Sequence, residues 1–257
     1  MTDRSFSIGR AIKFGWKKFK DQPWTWVFSL LFVLLVAVSH SFVVNWALGN
    51  GFTWNLGLNW QEFDYSNLQF EEHRKLKGNL IVWSIFSVYV LVKAGLTLGL
   101  IRMGIQAADD LPVKMGHLFS RFRYVFNFLI AEFIFWIILS VGLVLFIFPG
   151  LIWLSKFSLY PYFIADRGAG PIQALDLSSQ ATKGAKWDIF GLIFTSFCVL
   201  LIGSLMVGIG LFAVVPLLYI AWGVVYRHLS SSMPVEVITS PAIANPDVVN
   251  PTNITQQ

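Results

Sequence analysis

Six long apolar runs divide this chain, at residues 24–48, 80–103, 125–148, 151–165, 188–206 and 211–226. Four of them, at roughly 18–25 residues each, are long enough to cross about 30 Å of hydrocarbon as α-helices. The shorter two, 151–165 and 211–226, each follow a long neighbour across a Pro-Gly or Gly-rich break, so each such pair reads as a hairpin. Composition agrees, with 56% hydrophobic and 13% charged residues among 257, where soluble domains carry about a quarter charged. The chain is expected to be all-α, a polytopic integral membrane helical bundle of about six transmembrane helices in three hairpins, with amphipathic cytoplasmic surface helices.

Charge orients the set. Of nineteen Lys and Arg, fourteen fall on one side: Arg4, Arg10, Lys13, Lys17, Lys18 and Lys20 before the first run, Arg102, Lys114, Arg121 and Arg123 after the second, Arg167, Lys183 and Lys186 after the fourth, and Arg227 after the sixth. The loop at 49–79 holds three, Arg74, Lys75 and Lys77, while Lys93 and Lys156 lie inside runs. The positive-inside rule places both termini in the cytoplasm and the 49–79 loop on the opposite side of the membrane. Trp24, Trp26, Trp46, Trp187 and Trp222 stand near run ends, where an indole prefers the head-group layer. The net charge of +5 points to anionic lipid at the cytoplasmic face as the partner, not to nucleic acid, because the basic residues flank apolar runs. A partner protein or a second copy is left open.

Residues 1–22 read as an amphipathic surface helix. At 100° per residue Ile8, Ile12, Gly15, Trp16 and Phe19 share one face, and Arg10, Lys13, Lys17 and Lys20 share the other, with Ser5 or Ser7 available as cap. Its apolar face suits the acyl boundary and its cations suit lipid phosphates, which makes those four residues candidate head-group contacts. Similar segments at 113–124 and 171–187 precede the third and fifth runs, the latter opening on Pro171, a good first helical residue. The pattern is a surface segment followed by a two-span hairpin, three times over. Residues 23–229 then form the membrane domain, with a short amphipathic helix possible at 61–77. Residues 230–257, rich in Pro, Ser, Asn and Thr without periodicity, form an expected disordered cytoplasmic tail. The charged start and long first run do not fit a cleaved signal peptide, so that run is expected to be retained.

Three charged side chains interrupt the apolar runs. Lys93 lies about ten residues from the cytoplasmic end of its run, hence roughly 15 Å deep, and Glu132 and Lys156 lie at a similar depth by the same rise. One acid between two bases is either a neutralising contact that fixes helix packing or a polar cavity for a proton, an ion or an anionic head group. Gly95 and Gly99 form a small-residue face suited to helix contact. Pro149-Gly150, Pro161 and Pro216 break apolar stretches and free backbone carbonyls.

Enzyme signatures are missing. His40, His73, His117 and His228 are scattered, Cys198 is the single cysteine, and no HExxH, GxSxG or phosphate loop occurs. No catalytic residue, metal site or cofactor is expected.

Pro149-Gly150, Pro161 before Asp166, Ala174-Leu175, Ser178, Thr182-Lys183-Gly184, Gly208, Gly210, Pro216 and Tyr226-Arg227, with the opening Ile12-Lys13-Phe14-Gly15-Trp16 and Phe19, resemble uncharacterised bacterial inner-membrane proteins of the YciC type. Those are similar to the membrane domain attached to some glycerophosphoryl diester phosphodiesterases. The resemblance covers most of residues 6–228 and implies a six-span helical membrane protein of unassigned activity. No stretch outside the runs is long enough for a phosphodiesterase barrel, so that activity does not carry over. The expected role is non-enzymatic and structural or accessory in the cell envelope. A small transporter or lipid-handling protein built on Lys93, Glu132 and Lys156 is the alternative, and a membrane-embedded enzyme has least support.

Overall fold

A computed structural model describes residues 6–47, 72–145, 147–205 and 210–233, and among these no strand occurs. The helices are α1 (Ile8–Asp21), α2 (Pro23–Ala47), α3 (Glu72–Ala108), α4 (Val125–Leu145), α5 (Ile147–Phe157), α6 (Tyr160–Arg167), α7 (Pro171–Ala181), α8 (Lys186–Leu205) and α9 (Leu211–Ser231). Two short 3-10 turns, Met115–Phe119 and Phe122–Tyr124, join α3 to α4. The loop at 49–71 and the tail at 234–257 lie outside the described residues; of the helix anticipated at 61–77, residues 72–77 are the first part of α3.

Among the described residues, five stretches are long and apolar enough to cross a membrane: Pro23–Val44, Trp83–Ala108, Met115–Val144, Lys186–Leu205 and Leu211–Ser231. Their exposure is inverted relative to a soluble protein. On α4, Phe126, Ile130, Phe133, Ile137, Val141 and Val144 are exposed, and on α8, Trp187, Phe194, Phe197, Leu201 and Leu205 are exposed. These positions recur at spacings of three, four or seven residues, so each forms one outward apolar stripe (Leu205 is 82% exposed), as lipid-facing helices require. The run at 151–165 differs from the others, because it is shared between α5 and α6 with a break at Ser158–Leu159. α5 alone, at 11 residues, rises only about 16 Å.

The chain forms two compact units, residues 31–93 and the remainder. In the first, the His40 ring stacks on Tyr89 with centroids 3.9 Å apart. The second holds the rest of the core. There α8 and α9 run antiparallel: Gly203 abuts Gly210 at one end, and Trp222 Nε1 donates to Ser196 Oγ at 3.2 Å further along. α4 and α5 also meet through glycine, since a Cβ on Gly142 would approach Trp153 Cε3 at 2.7 Å and Gly150 Cα at 3.1 Å. α5 starts at Ile147, so the Pro-Gly pair lies in its first turn. Proline is tolerated in a first turn because its missing N–H has no intrahelical partner there.

α1 is capped by Ser7, whose Oγ accepts from Arg10 N–H. Its apolar face is divided. Ala11, Gly15 and Phe19 are buried, and a Cβ on Gly15 would meet Leu217 O at 2.8 Å, so α1 lies flush on α9. Trp16 on the same helix stays exposed. Lys18 Nζ reaches Asp110 Oδ1 at 2.6 Å, and Gln22 Oε1 accepts from Val113 N–H at 3.1 Å.

Two expectations need correcting. Trp26 is fully buried in the core and not in a head-group layer, and Trp222 is half-buried against Ser196; Trp24 and Trp187 are exposed. The segment 113–124 is not a regular surface helix but the pair of 3-10 turns, because its backbone docks on α3. A Cβ on Gly99 would meet the Leu118 carbonyl carbon at 2.6 Å, and one on Gly95 would meet the Phe122 ring at 2.7 Å. The Gly95/Gly99 face is therefore used for close approach, but by an irregular segment of the same chain.

Candidate functional site

The most concentrated chemistry lies where α3, α6 and α9 end together. α3 closes in a Schellman-type turn: Leu111 N–H donates to Gln106 O at 2.9 Å and Asp110 N–H to Ala107 O at 3.3 Å. Asp110 occupies the left-handed region at φ 58°, which Asp tolerates better than most residues. The turn leaves Asp109 beside α9. α6 ends on Gly168 at φ 66°, so Asp166 and Arg167 occupy its last turn.

Asp166 is the centre of the arrangement. It receives Arg102 Nη1, Arg227 Nη1 at 2.7 Å, Arg227 Nη2 at 3.3 Å and the Tyr226 hydroxyl at 2.9 Å. Arg227 in turn holds Asp109 through Nε at 2.7 Å and Nη2 at 2.6 Å. The side chain of Asp166 is only 11% exposed. Burial by itself raises its pKa, but the guanidiniums of Arg227 and Arg102 and the Tyr226 hydroxyl outweigh that and hold it below the usual carboxylate value. Two acids and two arginines thus form a neutral, hydrogen-bonded lock across three helices.

Around the lock the balance is basic. Arg121 and Arg123 lie over the Tyr124 ring, at 5.9 and 4.6 Å from guanidinium carbon to centroid, and Arg167 lies over Phe163 at 5.4 Å. Arg121 Nε and Arg167 Nη1 are buried without a hydrogen-bond partner among the described residues.

A second polar feature bridges the break between α5 and α6. Helix ends leave carbonyls unpaired, and here the Lys156 carbonyl accepts from Ser178 Oγ at 3.0 Å and Thr182 Oγ1 at 3.1 Å. Ser178 Oγ also accepts from Leu159 N–H at 3.1 Å. Both hydroxyl residues are fully buried. The polar character of the 171–187 segment is explained by this task, since α7 supplies hydroxyls to backbone that the break has freed.

The residues singled out from sequence are distributed as follows. Arg10, Lys13, Lys17 and Lys20 are exposed on α1, with Lys20 Nζ 5.1 Å from the Trp16 ring centroid. Glu132 sits on the α4 face that packs Tyr160, between Phe128 and Phe135, whose rings lie 6.1 and 5.4 Å from that of Tyr160. Its carboxylate is within electrostatic reach of Tyr160. Lys156 Nζ lies 5.0 Å from the Phe157 ring centroid. Among the described residues Glu132 and Lys156 form no ion pair with each other. Lys93 is exposed on α3 and belongs to the unit 31–93.

The lock was not singled out from sequence as a site. In the sequence Arg102 and Arg227 serve only to orient the chain, and Asp166 and Tyr226-Arg227 stand only as points of resemblance. The available signal was a lone acid closing one apolar run while arginines close two others.

An open cleft of about 290 Å³ is lined by Tyr162, Ser196, Leu200, Tyr219 and Trp222, among others. Comparison with protein-family models, curated proteins and solved structures finds no match to this chain.

Proposed function

We propose that the chain is a multi-pass protein of the bacterial inner membrane with a non-enzymatic, structural or accessory role, of the YciC type that its motifs resemble. The observation that carries this reading is the use to which charge is put. Asp166, Arg102, Arg227 and Asp109 are consumed in contacts between helices, and Glu132 lies within electrostatic reach of Tyr160, so charge serves assembly.

In this reading both termini are cytoplasmic and the crossings number six. Support for the sixth comes from Asp166. It joins Arg102 near the end of α3 and Arg227 near the end of α9, which returns residues 151–165 to the same level as those ends. Reporter fusions after Ser66 and Ser231 test it: the first should report outside and the second inside. An outside signal from Ser231 overturns the topology.

Lipid handling is the second reading, favoured by the apolar cleft that holds Ser196 and Tyr162. Fluorescent-phospholipid exchange in proteoliposomes separates the two. The accessory reading expects no flux above protein-free vesicles, and flux that is lost in Glu132→Gln at unchanged abundance overturns it.

A further inference from the structure

Arg121 lies beside the lock and takes no part in its ion pairs. Its side chain is half-buried, its Nε is closed off without a hydrogen-bond partner, and it lies within electrostatic reach of the like charges Arg102 and Arg123. Asp166 is also within reach, but that carboxylate already accepts from Arg102, Arg227 and Tyr226. An arginine in this position carries a desolvation cost and a repulsion with no direct carboxylate contact to offset them.

The backbone explains why Arg121 stays there. Leu118 and Phe122 are held against Gly99 and Gly95, so the segment that carries Arg121 is fixed against α3. A third group belongs to the same segment. His117 Nδ1 accepts from Lys114 N–H at 3.3 Å, which leaves Nε2 to carry the ring proton as a donor, and His117 is within electrostatic reach of Arg102. A guanidinium and an imidazole N–H on one short stretch suit a tetrahedral oxyanion, because a fork-shaped donor engages two oxygens at once. The segment leads directly into Val125 and the outward apolar stripe of α4 that begins at Phe126.

We propose that Arg121, with His117, binds a phosphate-bearing anion, as the head group of an anionic lipid or as free phosphate. This site is separate from the α1 cations and from the layer of Lys93, Glu132 and Lys156, and it does not depend on the accessory role proposed above.

The test uses the full chain in phosphate-free maltoside micelles, titrated separately with phosphatidylglycerol and with inorganic phosphate. Binding is read from tryptophan fluorescence and from the thermal midpoint. Wild type should bind at least one probe. Phosphatidylglycerol alone identifies a lipid head-group site, phosphate alone a soluble-anion site, and both together a site for the phosphate group itself. Arg121→Gln should weaken binding roughly tenfold, the factor expected for one charge-assisted contact. Arg121→Lys should weaken it less, and the α1 control Arg10→Gln should leave it unchanged. Without either probe, Arg121→Gln should be at least as stable as wild type, since a like-charge contact is removed. Binding of neither probe by wild type, wild-type binding by Arg121→Gln, or a lowered midpoint of that variant in probe-free micelles each overturns the proposal.

Discussion

Arg227 grips Asp109 in a two-pronged contact, Nε to Oδ1 at 2.7 Å and Nη2 to Oδ2 at 2.6 Å. The planar guanidinium matches the carboxylate edge to edge, so the pair fixes orientation as well as distance. Because the same guanidinium also reaches Asp166, the turn that ends α3 and the last turn of α6 are referenced to one side chain on α9. A change at either acid is therefore felt by all three helices.

Asp166→Asn keeps the shape of the side chain and removes its charge, leaving Arg102 and Arg227 partly buried without a full counter-charge. Breaking a buried pair costs about 3–5 kcal/mol. The arginines retain 23% and 35% exposure, so the lower end is expected. Detergent-solubilised protein followed by tryptophan-fluorescence melting should show a clear drop. Asp176→Asn on the exposed face of α7, where the carboxylate meets only Gln180 Nε2 at 2.8 Å, should change stability by less than about 0.5 kcal/mol. Equal effects from the two substitutions would remove the lock from the account of stability.

The pH dependence follows from the sign of the shift. The folded pKa of Asp166 lies below its ordinary value of 3.8, so its contribution is present above that value and is lost as pH falls through the lowered one. Melting midpoints should thus be nearly level from neutrality to about pH 5 and fall below about pH 4. In Asp166→Asn the acid limb should be flatter; parallel acid limbs in both proteins would contradict the assignment. Lys18 titrates with the opposite sign. Its pKa is raised above 10.5 by the Asp110 hydrogen bond, against slight desolvation, so the α1 anchor is complete at neutral pH and weakens only as pH rises past that value.

Gly99 and Gly116 form an internal comparison for docking of the 3-10 segment. A methyl on Gly99 would collide with Leu118 backbone, its carbonyl carbon 2.6 Å away, whereas one on Gly116 meets nothing within 4 Å. Backbone cannot rotate aside as a side chain can. Gly99→Ala should cost about 3 kcal/mol, the upper range for overpacking, and Gly116→Ala should stay within about 0.5 kcal/mol. Cysteine accessibility at an introduced Met115→Cys should rise in the first variant only.

Legibility from sequence differed by kind of feature. Apolar length and helical period located α2, α4, α8 and α9 within a few residues, because a lipid-facing helix carries its signal along its whole length. The Ser7 cap and Pro171 start were also readable, since each depends on local backbone chemistry. The partners of the charges were not. Asp166 and Arg227 are separated by 61 positions, and no periodicity encodes which distant cation an acid will meet. The same limit applies to Ser178, which looks like a polar surface residue until the break at Ser158–Leu159 is brought against it. Glycine spacing marked the α3 face correctly, but a small-residue face is equally open to a helix or a 3-10 turn.

Ser178 and Thr182 should couple, because both donate to the Lys156 carbonyl. Ser178→Ala also removes the acceptor for Leu159 N–H, and Leu159 is fully buried. An orphaned buried donor costs about 1–3 kcal/mol. Thr182→Val leaves the carbonyl paired with Ser178, so its effect should be smaller, about 1 kcal/mol. In the double variant the carbonyl loses both donors, and the loss should exceed the sum of the single losses by an interaction energy of about 0.5–1 kcal/mol. Melting or denaturant titration of the four proteins closes the cycle. Strict additivity would mean that the freed carbonyl finds another donor, and that α7 is not what holds the α5–α6 break in place.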